Sequence, residues 1–130
     1  MSVSLHSRSA ETVAVYFEKA QHPVIRKVLP QKAQTVEDAV ADFKHTQLPG
    51  ATSYGRTIQC DNRYVGDVWC YAIDRTNTPN AMLSYCVFEL DAWGRGVATE
   101  AVRLFLVEAQ KCFDLRSIGA FTYAENHDGR

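Results

Sequence analysis

Residues 90–101 constrain the fold most. Two glycines with one residue between them lie here between a run of strand-forming residues and a helical pattern. Gly94 and Gly96 allow the main chain to approach a ligand closely. Backbone N–H groups at a helix start have no partner inside the helix, and the macrodipole adds positive charge there. The segment therefore suits a pyrophosphate. A tight turn without a ligand uses the same glycines, so the spacing alone leaves both interpretations open.

The residues on either side of this loop predict a strand, a helix and a second strand. Residues 81–90 are too few for a typical helix, contain strand formers and follow a turn-like stretch. From residue 98 to residue 113, apolar residues recur at helical spacing with charged residues between them. Residues 117–123 form the second predicted strand. Because a helix connects the two strands, we expect them to run parallel.

The loop itself resembles a known family. Residues 93–101 read Trp-Gly-Arg-Gly-Val-Ala-Thr-Glu-Ala, similar to the W-G-K-G-x-A-T-E-A loop of one branch of the GNAT superfamily of acetyl-CoA-dependent N-acyltransferases. That branch acetylates ribosomal-protein N-termini and small amines. Arg95 replaces the Lys, and the branch shares the Trp at position 93. The resemblance, strongest from residue 64 to residue 126, implies an α/β (α+β) fold whose mixed, mostly antiparallel central sheet is flanked by helices.

The resemblance also implies how acetyl-CoA binds. Main-chain N–H groups of residues 94–99 would hold the pyrophosphate, and the backbone at Phe88 and Leu90 would run beside the pantetheine arm. A backbone N–H there can polarise the thioester oxygen. Glu100 should repel phosphate unless it points elsewhere or Arg95 and Arg103 offset it. The expected cofactor-binding residues are Phe88, Leu90, Trp93, Gly94, Arg95, Gly96, Val97, Ala98, Thr99 and Asn126.

In the implied reaction a neutral amine attacks the thioester directly, so a proton must leave an amine that is mostly protonated at neutral pH. Glu89 is the candidate base, because it lies at the strand end nearest the presumed thioester. A solvated or salt-bridged Glu is the alternative. Tyr85 and Tyr123 are weaker candidates for the acid that protonates the departing thiolate. In many members that acid is a Tyr on a helix after the loop that contains Asn126.

Composition agrees with one domain over residues 1–130, since 46% of residues are hydrophobic and 22% charged. The net charge is −1 and no basic stripe occurs, which argues against a nucleic-acid partner. The four cysteines show no metal-site spacing and predict reduced core residues without a metal. We see no signal peptide and no membrane-length apolar run, and we expect a cytoplasmic protein with no membrane partner.

The first half predicts three helical segments and a hairpin. A helix over 9–20 begins at a Ser cap, a short one follows Pro23, and a third begins after Thr35 and is closed by residues 48–50. Residues 54–61 and 63–74 form the hairpin, with its turn at 61–62.

Strict alternation along the second hairpin strand places Val65, Asp67, Trp69 and Tyr71 on one face and Tyr64, Gly66, Val68, Cys70 and Ala72 on the other. Asp67 is thus a carboxylate among aromatics. We expect Asp67 and Trp69 to bind a substrate amine, with a solvated sheet face or a satisfied backbone as the alternative for Asp67.

A domain of this family continues with a further helix and two strands after the segment that ends here at Arg130. We therefore expect residues 1–130 either to self-associate, as a symmetric dimer that covers the edge of the strand 118–123, or to behave as a poorly soluble fragment. Two other functions stay open. One is a non-catalytic CoA-binding or interaction module, and the other is a nucleotide binder, which the absence of a P-loop Lys-Ser/Thr pair disfavours.

Overall fold

The computed structural model describes residues 2–28, 35–74, 80–113, 115 and 117–120. Residues 117–120 are described by their backbone. One five-stranded sheet has the order β1-β2-β3-β4-β5. The first three pairings are antiparallel. The strands β4 and β5, which α4 connects in the chain, pair in parallel, as predicted. The elements in chain order are β1 Val3–Ser7, α1 Ala10–Lys19, α2 Pro23–Val28, α3 Val36–His45, β2 Tyr54–Cys60, β3 Arg63–Asp74, β4 Asn80–Val87, a 3-10 helix Leu90–Ala92, α4 Val97–Phe113 and β5 Ser117–Ala120.

Side-chain caps set the starts of α1 and α3. The Ser9 hydroxyl accepts a hydrogen bond from the Thr12 N–H at 3.2 Å, and the Ser9 N–H donates to the Thr12 hydroxyl at 2.9 Å. The Thr35 hydroxyl accepts from the Asp38 N–H at 3.1 Å. Both predicted starts are confirmed. The third helix ends earlier than predicted, because His45 is its last residue and the Thr46 N–H already bonds back to Phe43.

The predicted hairpin turn is confirmed at Asp61 and Asn62, which have positive φ angles of 52° and 68°. Asp and Asn tolerate this left-handed region better than most residues, so the turn forms without a glycine. The turn is also fixed to the N-terminus, since the Ser2 N–H donates to the Asp61 carboxylate at 2.8 Å. Strand β1, which was not predicted from the sequence, pairs with β2 along its whole length.

One expected pattern is wrong. On β3, Val65 packs with Val68 and Cys70 beneath α4, whereas Tyr64 packs on the opposite face with Trp69. The cause is an irregularity in the pairing with β2: Ile58 lies opposite Gly66 and Gln59 opposite Tyr64, so Val65 is an extra residue. Such a bulge interrupts the alternation on which the prediction depended.

Two apolar clusters lie on opposite faces of the sheet. The α4-side cluster includes Val65, Val68, Leu83, Tyr85 and Phe105. On the other face is the aromatic cluster, defined here as Ala20, Ile25, Cys86 and Phe88 with the partly buried rings of Tyr16, Tyr64, Trp69 and Trp93.

The predicted core position is confirmed for three of the four cysteines, and their reduced, metal-free state stays a prediction. Cys60, Cys70 and Cys86 are buried and free, whereas Cys112, also free, is exposed. Strand β4 is shorter than predicted: it ends at Val87, and Leu90 begins the 3-10 helix.

Candidate functional site

The glycine loop connects the 3-10 helix to α4 and bends through two left-handed residues. Gly94 and Gly96 have φ angles of +75° and +79°, and a Cβ added at either position would meet no atom within 4 Å. Each glycine is therefore required by its backbone conformation, and the space beside it is open. The sequence prediction of a strand, a glycine loop and a helix is confirmed.

The loop presents its main chain because its neighbouring side chains point into the core. Val97 and Ala98 are buried, while Gly94, Arg95 and Thr99 are exposed. The first helical hydrogen bond of α4 runs from the Glu100 N–H to the Gly96 carbonyl at 3.1 Å. The N–H groups of residues 97–99 precede any helical acceptor, so the helix start has the geometry of an anion site.

Arg103 forms an ion pair with Glu100, the acidic residue in the first turn of α4. Arg103 Nε donates to both Glu100 carboxylate oxygens, at 3.1 and 3.3 Å. That hydrogen bond, followed by the charge of Arg103, lowers the pKa of Glu100. The pair neutralises the acidic side chain in the first turn of α4, which resolves the conflict noted in the sequence.

Trp93 fastens the loop to the end of β4. Its indole N–H donates to the Val87 carbonyl at 2.7 Å, and its ring packs against both apolar clusters. On the other side of β4, the Phe88 N–H donates to the Val65 carbonyl at 2.8 Å. Both contacts fix the ends of the segment from Phe88 to Trp93, which connects β4 to α4.

Glu89, the candidate base, is ion-paired. Its carboxylate lies 2.9 Å from the Lys19 ammonium, with side-chain exposures of 23% and 51%. Lys19 is the last residue of α1, so the pair connects the C-terminal end of this helix to the residues that precede the glycine loop. Nothing local in the sequence marks Lys19, because the contact requires α1 to pack against the end of β4.

Asp67 is almost completely buried, with 1% of its side chain exposed. The Tyr64 hydroxyl donates to one carboxylate oxygen at 2.6 Å, and Arg8 Nε lies 3.2 Å from the other, at ion-pair distance but without hydrogen-bond alignment. Burial raises the pKa of Asp67 to about 6, although Arg8 and Tyr64 act in the opposite direction. Arg8 is a second residue that sequence reasoning missed.

The other predicted site residues divide between the two faces. Trp69 lies in the aromatic cluster, 6.2 Å from the Tyr16 ring in an edge-on arrangement. Tyr85 is buried in the α4-side cluster, on the opposite sheet face from Trp69. Asn126 and Tyr123 lie outside the described residues. Within the ranges that the structure describes, no group of His, Cys, Asp or Glu could hold a metal ion, and no helix is long and apolar enough to cross a membrane.

Comparison with known proteins gives one family match. The family described as acetyltransferase (GNAT) domain matches residues 5–130. No curated protein matches the sequence.

Several solved structures have the same fold. One is the aminoglycoside acetyltransferase AAC(6')-Ib in complex with coenzyme A, at 14% identity and TM-score 0.79, covering 98% of this chain and 78% of that one. The RimL ribosomal L7/L12 alpha-N-protein acetyltransferase in complex with coenzyme A has 17% identity and TM-score 0.77, with coverages of 97% and 73%. Mycobacterium smegmatis RimJ in complex with CoA-disulfide has 19% identity and TM-score 0.76, with coverages of 98% and 66%. The predicted fold class is confirmed.

Proposed function

The chain belongs to the GNAT acetyltransferase family, and from that premise we propose that it transfers an acetyl group from acetyl-CoA to a primary amine in a ternary complex. The acceptor would be a protein N-terminus or a small-molecule amine. The observation that carries the proposal is the open, left-handed glycine loop at the start of α4. The coenzyme A complexes of AAC(6')-Ib and RimL support the choice of co-substrate.

Acetyl-CoA would bind through the main chain of the loop. The N–H groups of residues 94–99 would hold the pyrophosphate, with Arg95 exposed beside them. Phe88 and Leu90 would flank the pantetheine arm, and Trp93 would keep their segment in place through its bond to Val87. Asn126 is proposed to complete this site, and no metal is proposed.

The chemistry would be a direct acyl transfer. The acceptor nitrogen forms a bond to the acetyl carbonyl carbon, the carbon–sulfur bond breaks, and the CoA thiolate leaves. Glu89 would take the proton that the amine releases, and a backbone N–H near Phe88 would stabilise the developing oxyanion. Tyr85 is proposed to return a proton to the thiolate.

The acceptor would lie on the face that carries the aromatic cluster. Trp69 is partly exposed there and can contact an acceptor directly. Asp67 is held by Tyr64 and Arg8, so it would act on an acceptor through its charge or after Arg8 moves.

Gly96→Val tests the cofactor assignment. We expect at least a ten-fold loss of CoA affinity by calorimetry, because the new side chain fills the space that the pyrophosphate would need. Gly50→Val is the matched control: its φ is +78°, and a Cβ there also meets nothing within 4 Å, but it lies before β2, away from the loop. Unchanged CoA affinity in a folded Gly96→Val protein, or an equal loss in both variants, contradicts the assignment.

A non-catalytic CoA-binding module is the second candidate, favoured by the ion pair that already occupies the Glu89 carboxylate. Acetyl-CoA turnover against a panel of amines separates the two, because a binding module would retain CoA affinity without releasing CoA thiol. The single domain, cytoplasmic location and homodimer expected from the sequence stay predictions.

A further inference from the structure

The Lys19–Glu89 ion pair places a primary ammonium on the candidate base. Lys19 Nζ lies 2.9 Å from a Glu89 carboxylate oxygen, and half of the Lys19 side chain remains exposed. A cation in the last turn of a helix is favoured by the helix macrodipole wherever its side chain points. The macrodipole therefore does not explain why this side chain is directed at Glu89.

Packing beside the two residues brings them together. Ala20, which follows Lys19, and Phe88, which precedes Glu89, are both buried in the aromatic cluster. Tyr16, one turn before Lys19 on α1, meets the Phe88 ring edge-on at 6.1 Å between centroids. The backbone positions of Lys19 and Glu89 are thus set by apolar contacts, and the ion pair forms across a junction that exists without it.

A second cation near Glu89, Arg63, is already engaged. The Arg63 guanidinium donates to both carboxylate oxygens of Asp91, at 2.7 and 3.3 Å. Its pKa is raised mainly by that hydrogen bond, then by the charge of Asp91, with a smaller contribution from Glu89. Lys19 is therefore the cation in direct contact with Glu89, and Arg63 adds only a longer-range field.

We propose that Lys19 is an internal competitor of the acceptor: its ammonium occupies the position on Glu89 that the acceptor amine would take, so the acceptor must displace Lys19. This inference rests on the proposed function. The lysine ammonium and such an acceptor are the same chemical group, and each donates N–H bonds to the carboxylate. An ion pair this exposed is weak, so displacing it costs the acceptor about two- to five-fold in affinity.

Lys19 affects the binding of the acceptor and not the chemical step. Lys19 reduces the binding of every cationic acceptor, whereas a neutral amine gains so little from Glu89 that its binding does not depend on Lys19. The partly exposed Tyr16 ring, which packs against the buried Phe88 ring, provides an apolar and π surface beside the pair for the acceptor.

Calorimetry on the CoA-bound protein tests the proposal without requiring turnover. Benzylamine is the cationic probe at neutral pH, aniline the neutral one, and benzyltrimethylammonium a cation without N–H donors. We expect Lys19→Gln to tighten benzylamine binding about two- to five-fold. The affinity for aniline should stay unchanged, and the affinity for benzyltrimethylammonium should rise by a smaller factor than that for benzylamine. Lys19→Arg, which keeps the charge, should bind benzylamine like the unmodified protein, and so should Lys111→Gln, an exposed change on α4.

The outcomes distinguish this inference from the proposed function. Equal benzylamine affinity in Lys19→Gln and the unmodified protein overturns the inference, as does an equal gain for all three probes or a failure of benzylamine to bind. In a separate turnover assay, the KM for benzylamine should fall by the same factor with kcat nearly constant. A shift in affinity without any turnover would show that Lys19 competes with cationic amines for Glu89, but it would overturn the proposed acetyl transfer and, with it, the assignment of these amines as acceptors.

Discussion

Asp67 shows how burial and charge oppose each other at a single residue. Desolvation favours the neutral acid, while Arg8 and Tyr64 favour the carboxylate, and burial dominates because the pKa is raised to about 6. Arg8 Nε lies 3.2 Å from one carboxylate oxygen without hydrogen-bond alignment, and Arg8 lowers the pKa by less than burial raises it. Its guanidinium also lies over the Phe43 ring of α3, 5.7 Å from the centroid.

This raised pKa predicts an unusual pH dependence of stability. The folded protein holds the Asp67 proton between the unfolded pKa of 3.8 and the folded value of about 6, so the contribution of Asp67 is present below 3.8 and is lost as pH rises through 6. A shift of about two pKa units corresponds to roughly 3 kcal/mol. Denaturant unfolding of the unmodified protein and Asp67→Asn should show their difference in free energy of unfolding falling by about that amount across this window.

Asp91→Asn is the control for that measurement. The Arg63 hydrogen bond lowers the pKa of Asp91, so its contribution is present above the unfolded pKa and is lost as pH falls. The two variants should therefore differ in the sign of their pH dependence. A difference between the unmodified protein and Asp67→Asn that stays constant from about pH 4 to about pH 6.5 would refute the raised pKa.

Between elements, the contact of β3 with β4 sets the position of the site. Gly66 lies opposite Val87 next to the β3 bulge, and a Cβ there would meet the Cys86 carbonyl oxygen at 2.2 Å and the Val87 Cα at 2.8 Å. The two strands approach so closely only because residue 66 has no side chain. The end of β4, which leads to Glu89 and the glycine loop, therefore depends on this glycine.

Gly66→Ala should lower the free energy of unfolding by about 3 kcal/mol, because backbone atoms rather than a flexible side chain must move. Gly50→Ala meets no neighbour and should cost only about 1 kcal/mol, from its φ of +78°. Urea denaturation of both variants measures the comparison. Equal losses would show that the strands separate at Gly66 without difficulty.

Across the whole molecule, the sheet separates two tasks. One face packs against α4 and the glycine loop, where acetyl-CoA is proposed to bind, and the other carries α1, α2 and the aromatic cluster. The two sides meet at the end of β4, where Trp93 contacts both clusters and Glu89 pairs with Lys19. A cofactor and an acceptor can therefore approach the same carboxylate from different directions.

The expected homodimer would form through an edge of the sheet. Among the described strands, β5 lies at one end of the sheet order, and an edge strand offers unpaired backbone groups to a second copy. We expect residues 1–130 either to give twice the mass of one chain by light scattering at micromolar concentration or to behave as a poorly soluble fragment with little acetyltransferase activity. A well-behaved, fully active monomer at that concentration would contradict the prediction.

Features that depend on near neighbours were predictable from the sequence alone. The caps at Ser9 and Thr35, the turn at Asp61 and the unit of strand, glycine loop and helix all form within a few residues. Hydrogen bonds and φ preferences act over that range, so residue order determines them. The resemblance of residues 93–101 to a known loop indicated the family, and the order of strand, helix and strand predicted the parallel pairing of β4 with β5.

What only the tertiary structure decided involves residues far apart in the chain. The extra residue at Val65 reversed the expected faces of Tyr64 and Val65, because strand register depends on the partner strand. The pairing of Lys19 with Glu89 likewise depends on how α1 packs against the end of β4. The ionisation of Asp67 follows from its burial and from the approach of Arg8. Burial and ion pairing arise only when separate elements meet, so the sequence identifies the candidate groups and packing decides their partners and charge.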